Sequence, residues 1–340
     1  MKIALDAAAG DLGLAPNIEG AVAAASEELG IIVVGPVHEV ETALRARGVK
    51  PGDPRFEIVD TREVVSMGEE PSSACRSKPH ASILVCAELV ASGRAAAMVS
   101  AGNSGATMVA SLWHLKRMPD VLRPAIAVPI PTARGTTVLI DGGANTECKP
   151  WHLVQFGMMG SVYARHVLRT VDPAVGILSN GEEDCKGNDL VREAVPLLRA
   201  SSLRFFGPVE GRDITAGTVD VVVCDGFTGN VVVKAIEGTA SSMAALLKGS
   251  ITGSLHKIGA LLLKSAFATL KKKMNYDEYG GAPLLGVNGI VVICHGKSNA
   301  KAIANALRSA RSLVETGALA QIASSLDEMK RSMEPDAAKA

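Results

Sequence analysis

The chain has 340 residues, which exceeds the roughly 250–300 residues at which single hydrophobic cores stop growing. It therefore allows one large α/β domain with an appendage, or two closely joined lobes. Hydrophobic residues make up 47% and charged residues 21%, which excludes an intrinsically disordered chain. The 35 basic and 35 acidic residues balance, so the total charge gives no sign of a nucleic-acid-binding protein.

Six cysteines are spread along the chain without a C-x-x-C pair. No Cys/His cluster has the spacing of zinc ligands, so the sequence predicts no metal, no redox motif and no cofactor. The chain opens Met-Lys-Ile-Ala-Leu-Asp, which is typical of a strand and not of a secretory signal. No stretch of about 18 apolar residues occurs. These features predict a cytoplasmic protein without a membrane-spanning segment.

Short β-type runs alternate with longer helical stretches along the chain. The predicted strands are Lys2–Leu5, Ile31–Val34, Glu57–Val59, Ala97–Val99, Ala125–Val128, Thr137–Asp141, Val175–Leu178, Leu203–Phe206, Val219–Cys224 and Gly289–Cys294. The predicted helices are Ile18–Glu28, Val37–Arg47, Ser82–Ser92, Thr107–His114, His152–Leu168, Asp189–Arg199, Val231–Lys248 and Asn299–Glu315. This alternation predicts an α/β fold with a mostly parallel sheet. We expect a single domain over residues 1–332 and a frayed tail at 333–340.

Four loops rich in Gly, Asn, Ser and Asp follow predicted strands. They are Ser100–Ala106, Asp141–Asn145, Ser179–Asn188 and Asp225–Asn230. Ligands of open α/β sheets bind outside the carboxyl ends of the strands, so we expect the four loops to converge on one polar site. The alternative is that Gly and Asn simply form turns. That alternative is favoured for any single loop, but not for all four together.

The Ser100–Ala106 loop has the composition of a phosphate cradle. Gly102 and Gly105 would let the backbone approach an anion, and the following helix would present its N-terminal amides. Asn103 and Ser104 add side-chain donors. The loop lacks the Walker A and G-x-G-x-x-G patterns, so a nucleotide site is not indicated.

The Ser179–Asn188 loop contains Lys186 beside Asn188. An ammonium and an amide are both hydrogen-bond donors, so these two residues could contact phosphate or stabilise an oxyanion. The three acidic residues at 182–184 in the same loop are interpreted as a solvated face. Lys186 also precedes a predicted helix directly, which suits the capture of an anion.

The Asp225–Asn230 loop follows the most apolar predicted strand. Gly226 and Gly229 permit tight backbone geometry, while Thr228 and Asn230 supply hydrogen-bonding groups at the start of the next helix. Their alternative role is to cap that helix. For Asn230 the capping and ligand-binding roles are evenly balanced.

Two basic features lie outside these loops. Arg76 and Lys78 could attract phosphate or an acidic carrier protein, although ordinary surface charges are the alternative. Residues at about 250–275 form a basic amphipathic helical pattern with Leu255, Ile258 and Leu262 on its apolar face. That face would contact an anionic membrane surface, or else a dimer mate or the core.

Read together, seven segments resemble the PlsX family of acyl-carrier-protein:phosphate acyltransferases. The segments run in the family's order: Met67–Ser72, Ser100–Ala106, Asp141–Asn145, Leu178–Glu183, Lys186–Asn188, Asp225–Asn230 and Tyr279–Gly289. The resemblance implies a three-layer α/β/α Rossmann-like fold akin to phosphotransacetylase and isopropylmalate dehydrogenase. It also implies a homodimer, peripheral membrane association, and no metal or nucleotide.

The implied reaction converts long-chain acyl-acyl-carrier protein and orthophosphate to acyl phosphate and free carrier protein. The product would feed a glycerol-3-phosphate acyltransferase in phospholipid synthesis. No Ser-His-Asp, Cys-His or G-x-S-x-G arrangement occurs. Since phosphate is already an anionic nucleophile at neutral pH, direct attack needs no general base, and positioning and oxyanion stabilisation would carry the rate. We therefore expect no covalent enzyme intermediate.

The residues that match the family's motifs give a set of candidate site residues. We expect Lys186 and Asn230 to be catalytic. We expect phosphate or substrate to contact Asp6, Gly102, Asn103, Ser104, Gly105, Asn145, Asn180, Asn188, Asp225, Thr228 and Gly229. Two other readings remain open: a phosphotransacetylase that uses acyl-coenzyme A, and a non-catalytic scaffold at the membrane surface.

The N-terminal loop departs from the family's pattern. The family has Asp-Ala-Met-Gly-Gly-Asp followed closely by Pro, whereas this chain has Asp6-Ala-Ala-Ala-Gly10-Asp11 and reaches proline only at Pro16. Alanine is poorly tolerated where φ is positive, so Ala9 predicts a rebuilt loop. Ser104 also replaces the usual Thr and keeps its hydroxyl.

Overall fold

The computed structural model describes residues 1–253, 259, 261–265, 267 and 280–333, and within them eleven strands form one sheet. The strands are β1 (Lys2–Asp6), β2 (Gly30–Gly35), β3 (Phe56–Asp60), β4 (Ala97–Ser100), β5 (Ala125–Pro131), β6 (Thr136–Ile140), β7 (Val175–Leu178), β8 (Phe205–Val209), β9 (Val221–Val223), β10 (Ala282–Leu285) and β11 (Ile290–Ile293). The helices are α1 (Leu14–Ala24), α2 (Val37–Arg45), α3 (Pro71–Ser77), α4 (Ser82–Ala91), α5 (Ser104–His114), α6 (Pro150–His166), α7 (Asp189–Ala200), α8 (Gly211–Ala216), α9 (Gly226–Ser250), α10 (Ala300–Glu315) and α11 (Ala318–Met333).

The sheet is mostly parallel, as predicted, but it consists of two halves that run in opposite directions. The strand order is β3-β2-β1-β4-β11-β10-β5-β6-β9-β7-β8. Strands β1, β2, β3, β4 and β11 are mutually parallel and form the first half. Strands β6, β9, β7 and β8 are mutually parallel and form the second half. Three antiparallel pairings, β11–β10, β10–β5 and β5–β6, join the halves and reverse the strand direction.

Helices cover both faces of the sheet, which confirms the predicted three-layer α/β/α architecture. Successive strand residues point to opposite faces, so Ile3 and Leu5 belong to one buried cluster while Ala4 belongs to the other. Helices α1, α2, α6, α7, α10 and α11 pack on the first face. Helices α3, α4, α5, α8 and the first turns of α9 pack on the second face.

Helix α6 fixes the position of the loop that precedes it. Most of its residues are buried, because α7 and α11 pack beside it. Two glycines let it approach the strands closely: a Cβ at Gly160 would lie 2.7 Å from Val221 Cγ1, and one at Gly157 would lie 3.0 Å from Leu203 Cδ1. The Asp141–Asn145 loop is thus anchored between the end of β6 and a helix that is held on several sides.

The ten predicted strands are all present, with shifted ends, and the sequence reading missed one further strand. Strand β10 is short, contains Pro283 and pairs through two residues on each side. Such a segment carries a weak strand pattern, since proline cannot donate to a ladder. Helices α3, α8 and α11 were also missed, and α1 begins at Leu14, four residues before the predicted start.

Several predictions fall outside the described residues. They include Leu255, Ile258, most of the basic segment at 250–275, and residues 334–340 of the predicted tail. Leu262 is described, and 79% of its surface is exposed. Among the described residues, every helix is too short or too polar to cross a membrane.

Candidate active site

The opposed strand directions separate the four predicted site loops. The Ser100–Ala106 loop follows β4, at the carboxyl edge of the first half. The loops at 141–145, 179–188 and 225–230 follow β6, β7 and β9, at the carboxyl edge of the second half. Because the halves run oppositely, these edges lie at opposite ends of the sheet. The expectation that all four loops converge is therefore wrong for Ser100–Ala106 and holds for the other three.

Asp6 forms the base of the loop cluster at the first edge. It is 1% exposed, and Ser100 Oγ donates a hydrogen bond to Asp6 Oδ2 over 2.7 Å. Asp6 Oδ1 and the nearby Ser82 Oγ make no hydrogen bond with the described residues. Burial raises the pKa of Asp6, and the neighbouring serine hydroxyls only partly oppose this effect. A buried carboxyl group at this place is poorly suited to hold phosphate.

The other predicted site residues at the first edge make contacts that hold neighbouring loops together. Asn103 Oδ1 accepts from Ala106 N and caps α5, while its Nδ2 donates to three carbonyl oxygens of the 66–69 segment. Ser104 begins α5 and is exposed. A Cβ at Gly105 would lie 2.5 Å from Pro71 Cγ, and one at Gly102 would lie 2.9 Å from Ala9 Cβ. The glycines therefore serve close packing within the protein.

The two predicted basic contacts also lie near this edge. Lys78 Nζ forms an ion pair with Glu69 at 2.7 Å and donates to the carbonyl oxygen of Val64. Arg76, in the last turn of α3, is exposed and has no partner among the described residues. Lys78 thus supports the loop, whereas Arg76 is free to bind an anion or an acidic partner.

The N-terminal loop tolerates Ala9 without backbone strain. The positive φ angles of this loop occur at Gly10, with φ of 100°, and at Gly13, with φ of 67°, but not at Ala9. Ala9 is 4% exposed and packs its methyl group beside Gly102. Ala9 is therefore free of left-handed strain, because the left-handed positions of this loop are glycine. That the loop is rebuilt relative to the family stays a prediction.

Replacing Asp6 by asparagine should change the pH dependence of stability. Since the pKa of Asp6 is raised in the folded protein, the folded state binds more protons than the unfolded state above about pH 4. The stability that protonated Asp6 contributes is present at low pH, and it is lost as the pH rises through the pKa of Asp6 in the folded protein. We therefore expect Asp6→Asn to gain stability relative to the wild type as pH rises from about 4 to 8, measured by urea unfolding. A difference that is constant with pH would contradict this account.

At the second edge, the 179–188 and 225–230 loops line an open cavity of about 650 Å³. Its polar lining comes from Ser179, Asn180, Asn188, Asp225 and Thr228. Its apolar lining comes from Leu153, Ile177, Leu178, Leu190, Val191, Cys224 and Val232. The cavity thus brings together most of the residues predicted from the 179–188 and 225–230 loops, and we call it the polar cavity.

Two helices begin at the polar cavity. Asn188 caps α7 by accepting from Val191 N at 3.0 Å. Asp225 caps α9 by accepting from Thr228 N at 2.9 Å and from Thr228 Oγ1 at 2.7 Å. Asn180 Oδ1 accepts from Gly187 N at 2.8 Å, which shapes the loop before α7. The unpaired N–H groups in the first turns of helices, together with the helix dipoles, make such an edge suitable for an anion.

The Asp141–Asn145 loop is held by one buried carboxylate. Asp141 accepts hydrogen bonds from the backbone N–H groups of Ile126, Gly143, Ala144 and Asn145, and from Asn145 Nδ2. Burial raises the pKa of Asp141, and these donors act in the opposite direction. Asn145 Nδ2 also donates to the carbonyl oxygen of Pro124 at 2.7 Å. Asn145 is therefore engaged within the protein, and Asp141, absent from the predicted set, organises the loop.

Gly226 and Gly229 let α9 begin directly on this loop. Gly226 N donates to the carbonyl oxygen of Asn145 at 2.7 Å. A Cβ at Gly226 would lie 2.7 Å from that oxygen, and one at Gly229 would lie 1.9 Å from the carbonyl oxygen of Asp141. The prediction that these glycines serve tight backbone geometry is confirmed. For Gly229, close packing alone already requires a glycine, and its contact with substrate stays a prediction.

Three polar groups on the loops of the second edge have no partner among the described residues, and of these only Ser179 lines the polar cavity. Lys186 is exposed, packs its stem against Gly181, and forms no ion pair. Asn230 is exposed beside Gly143, and its amide makes no hydrogen bond. The buried Oγ of Ser179 is also unpaired. Ser179 was not among the predicted residues, although it lies in the Leu178–Glu183 segment.

The surroundings of the two thiols near the polar cavity make both thiols unreactive. Burial raises the pKa of Cys148 to about 12, with Asp141 and Asp225 adding to the effect. Burial likewise raises the pKa of Cys224 well above its usual range. A thiolate nucleophile is therefore disfavoured at both positions. In the described part of the chain, no group of three or more His, Cys, Asp or Glu residues is placed to hold a metal ion.

The three-layer architecture is an α/β/α fold of the kind found in phosphotransacetylases. A solved phosphotransacetylase from Streptococcus pyogenes matches with a TM-score of 0.60 over 92% of this chain and 94% of that chain, at 18% sequence identity. At this level of identity the likeness concerns the fold alone.

The sequence comparisons give the family. A family model described as "Fatty acid synthesis protein" matches residues 1–321. A relative from Geotalea uraniireducens named "Phosphate acyltransferase" is 50% identical over 330 residues, 96% of this chain and 95% of that protein. A relative of the same name from Geotalea daltonii is 50% identical over 319 residues, 93% and 92% of the two chains. The chain therefore belongs to the PlsX family of acyltransferases, as its motifs predicted.

Proposed function

We propose that this protein is a phosphate acyltransferase that transfers a long-chain acyl group from acyl-carrier protein to orthophosphate. A phosphate oxygen attacks the thioester carbonyl carbon, and the carbonyl oxygen becomes an oxyanion. The C–S bond then breaks, the thiolate of the carrier leaves, and it takes up the proton that hydrogen phosphate carried. The products are acyl phosphate and free carrier protein. The acyl phosphate would feed glycerol phosphate acylation in phospholipid synthesis.

The observation that carries this proposal is the set of unpaired donors around the polar cavity. Helices α7 and α9 begin there, and Lys186, Asn230 and Ser179 Oγ have no partner among the described residues. Such donors can hold phosphate and stabilise the oxyanion without reorganising during the reaction. The carboxylate of Asp225, which already orients Thr228, can accept the remaining P–OH group.

Direct attack by phosphate agrees with the side chains at hand. No histidine lines the polar cavity among the described residues, and its cysteine, Cys224, is held as a thiol. Hydrogen phosphate is a nucleophile at neutral pH, so a catalytic base is not required. The protein's contribution is to position the two substrates and to stabilise charge. The names of the relatives, which are phosphate acyltransferases, support the same reaction.

A phosphorolysis assay tests the proposal. Purified protein is incubated with palmitoyl-carrier protein and phosphate, and acyl phosphate is trapped as a hydroxamate. We expect product that depends on phosphate, and a lower rate when palmitoyl-coenzyme A replaces the carrier protein. A higher rate with the coenzyme A thioester would favour the alternative phosphotransacetylase. Absence of any phosphate-dependent product with either donor would favour the non-catalytic scaffold.

We further propose that the exposed end of α9 serves assembly and membrane contact in a cytoplasmic homodimer. Residues 241–250 are all exposed, and they include Met243 and Leu246, at 61% and 72%. Leu261, Leu262 and Leu263 are also largely exposed. Apolar surface of this kind is characteristic of interaction sites on proteins or membranes.

The membrane proposal predicts a specific loss of binding. Leu262→Glu places a charge where an apolar side chain would enter the lipid, so we expect it to abolish co-flotation with phosphatidylglycerol vesicles. Val171→Glu makes the same change at a site that is 90% exposed elsewhere on the protein, and it should float like the wild type. Unchanged flotation of Leu262→Glu would count against membrane contact at this segment.

A further inference from the structure

A second cavity, of about 350 Å³, is lined in part by Asn145, the last residue of the Asp141–Asn145 loop. Its walls are mainly apolar and come from Met108 and Leu112 of α5 and from Leu122 and Pro124 before β5. We call this space the apolar cavity. None of the predicted site residues except Asn145 belongs to it.

Two arginines also line the apolar cavity, and they differ in their engagement. Arg117 Nη1 donates to the carbonyl oxygens of Val121, at 3.2 Å, and Leu122, at 2.6 Å. Its guanidinium is thus occupied, and its aliphatic stem adds to the wall. Arg123 is exposed and makes no hydrogen bond or ion pair with the described residues. The cavity therefore combines apolar walls with one unpaired guanidinium.

Asn145 lines the apolar cavity and also contacts the first turn of α9. Its side chain donates to the carbonyl oxygen of Pro124, beside Arg123, at 2.7 Å. Its own carbonyl oxygen accepts from Gly226 N, in the first turn of α9, at 2.7 Å. Arg123 is close enough to this region to contribute, after burial, to the lowered pKa of His152. Asn145 therefore connects the wall of the apolar cavity to the start of α9, beside Asp225 of the polar cavity.

We propose that the apolar cavity receives the alkyl chain of the acyl group, with Arg123 facing the polar end of that group. This inference rests on the proposed phosphate acyltransferase function. An acyl phosphate or acyl thioester has an apolar tail and a polar head. The apolar walls of the cavity would contact the tail, and the Arg123 cation would face the head. The carbonyl carbon would then lie near Gly143 and Asn230, between the tail and the phosphate in the polar cavity.

The charge of Arg123 fits this assignment better than a purely apolar ligand does. A guanidinium without a partner next to a buried hydrocarbon chain would gain nothing from the ligand. The carbonyl oxygen of the acyl group becomes an oxyanion during transfer, and a guanidinium can donate hydrogen bonds to it. The occupant is therefore an anionic or strongly polar amphiphile, and its chain length is limited by the walls at Met108 and Leu112.

Cavity-filling variants test the proposal by chain length. We expect Leu112→Trp to weaken binding of dodecyl phosphate at least about tenfold, since two or more buried methylenes would be displaced. Binding of butyl phosphate, measured by the same calorimetry, should change less than about twofold, because a short chain does not reach the filled wall. Val171→Trp adds the same bulk at an exposed position and should leave both ligands unaffected.

A second variant gives the opposite change. Met108→Ala widens the cavity, so the preference in kcat/KM should move toward longer acyl chains, whereas Leu112→Trp should move it toward shorter ones. Equal effects on all chain lengths, or none, would overturn the assignment even if acyl phosphate forms normally. Conversely, chain-dependent binding of the alkyl phosphates without any acyl transfer would support the cavity and reject the proposed function.

Discussion

Turnover is expected to fall on the order of 100-fold when Asn230 is replaced by alanine, while the melting temperature stays nearly unchanged. The amide of Asn230 is exposed beside Gly143 and makes no hydrogen bond with the described residues. Its removal therefore leaves no partner unsatisfied in the folded protein. A loss of this size is typical when one donor to an oxyanion is removed.

The measurement compares kcat and thermal unfolding for Asn230→Ala with those for Asn299→Ala. Asn299 caps α10 by accepting from Ala302 N at 3.0 Å. It follows β11, a strand of the first half of the sheet. Loss of that cap should cost about 1 kcal/mol of stability and leave kcat intact. If Asn230→Ala also unfolds at a lower temperature, and its residual activity follows the folded fraction, then Asn230 is structural.

The polar residues at the starts of α7 and α9 show how far the roles of site residues can be predicted from the sequence. Asn188 and Asp225 precede helices, so their capping roles follow from local pattern. The structure shows that Asp225 caps α9, so Asn230 does not cap it. The sequence alone does not distinguish between the two residues as caps. The capping role considered for Asn230 is therefore wrong, while its catalytic role stays a prediction.

The fold was predictable in its layers but not in its strand directions. Alternating apolar runs and amphipathic stretches identify strands and helices because each buries a characteristic face. The reversal at β10, β5 and β6 includes one pairing, β10 with β5, between segments more than 100 residues apart in sequence, such as Leu284 with Ile126. Nothing local encodes that pairing. For this reason the Ser100–Ala106 loop, which has a convincing phosphate-binding composition, was assigned to the wrong end of the sheet.

The residues missed by sequence reasoning share a physical reason. Asp141 organises its loop through backbone donors, and those contacts appear only when the loop is folded. Arg123 lies in no glycine-rich segment, and its position beside the Asp141–Asn145 loop results from the antiparallel pairing of β5 with β6. The one local signal was that Asp141 directly follows an apolar strand and precedes two glycines.

The largest expected loss of stability near the site comes from a single methyl group at position 229. Because a Cβ there would lie 1.9 Å from the carbonyl oxygen of Asp141, either α9 or the Asp141–Asn145 loop must move. We expect Gly229→Ala to lower the free energy of unfolding by roughly 3 kcal/mol. Turnover should fall at least about 100-fold, since a displacement of about 1 Å at catalytic groups has effects of that size.

Gly238→Ala provides the matched control on the same helix. A Cβ at Gly238 would meet no atom within 4 Å, so alanine should stabilise α9 by roughly 0.5–1 kcal/mol through its higher helix propensity. Urea unfolding and kcat would be measured for both variants. If Gly229→Ala were as stable and active as Gly238→Ala, the start of α9 could not be seated on Asp141 as described. The spacing of Asp225, Asn230 and the 141–145 loop would then no longer support a shared site.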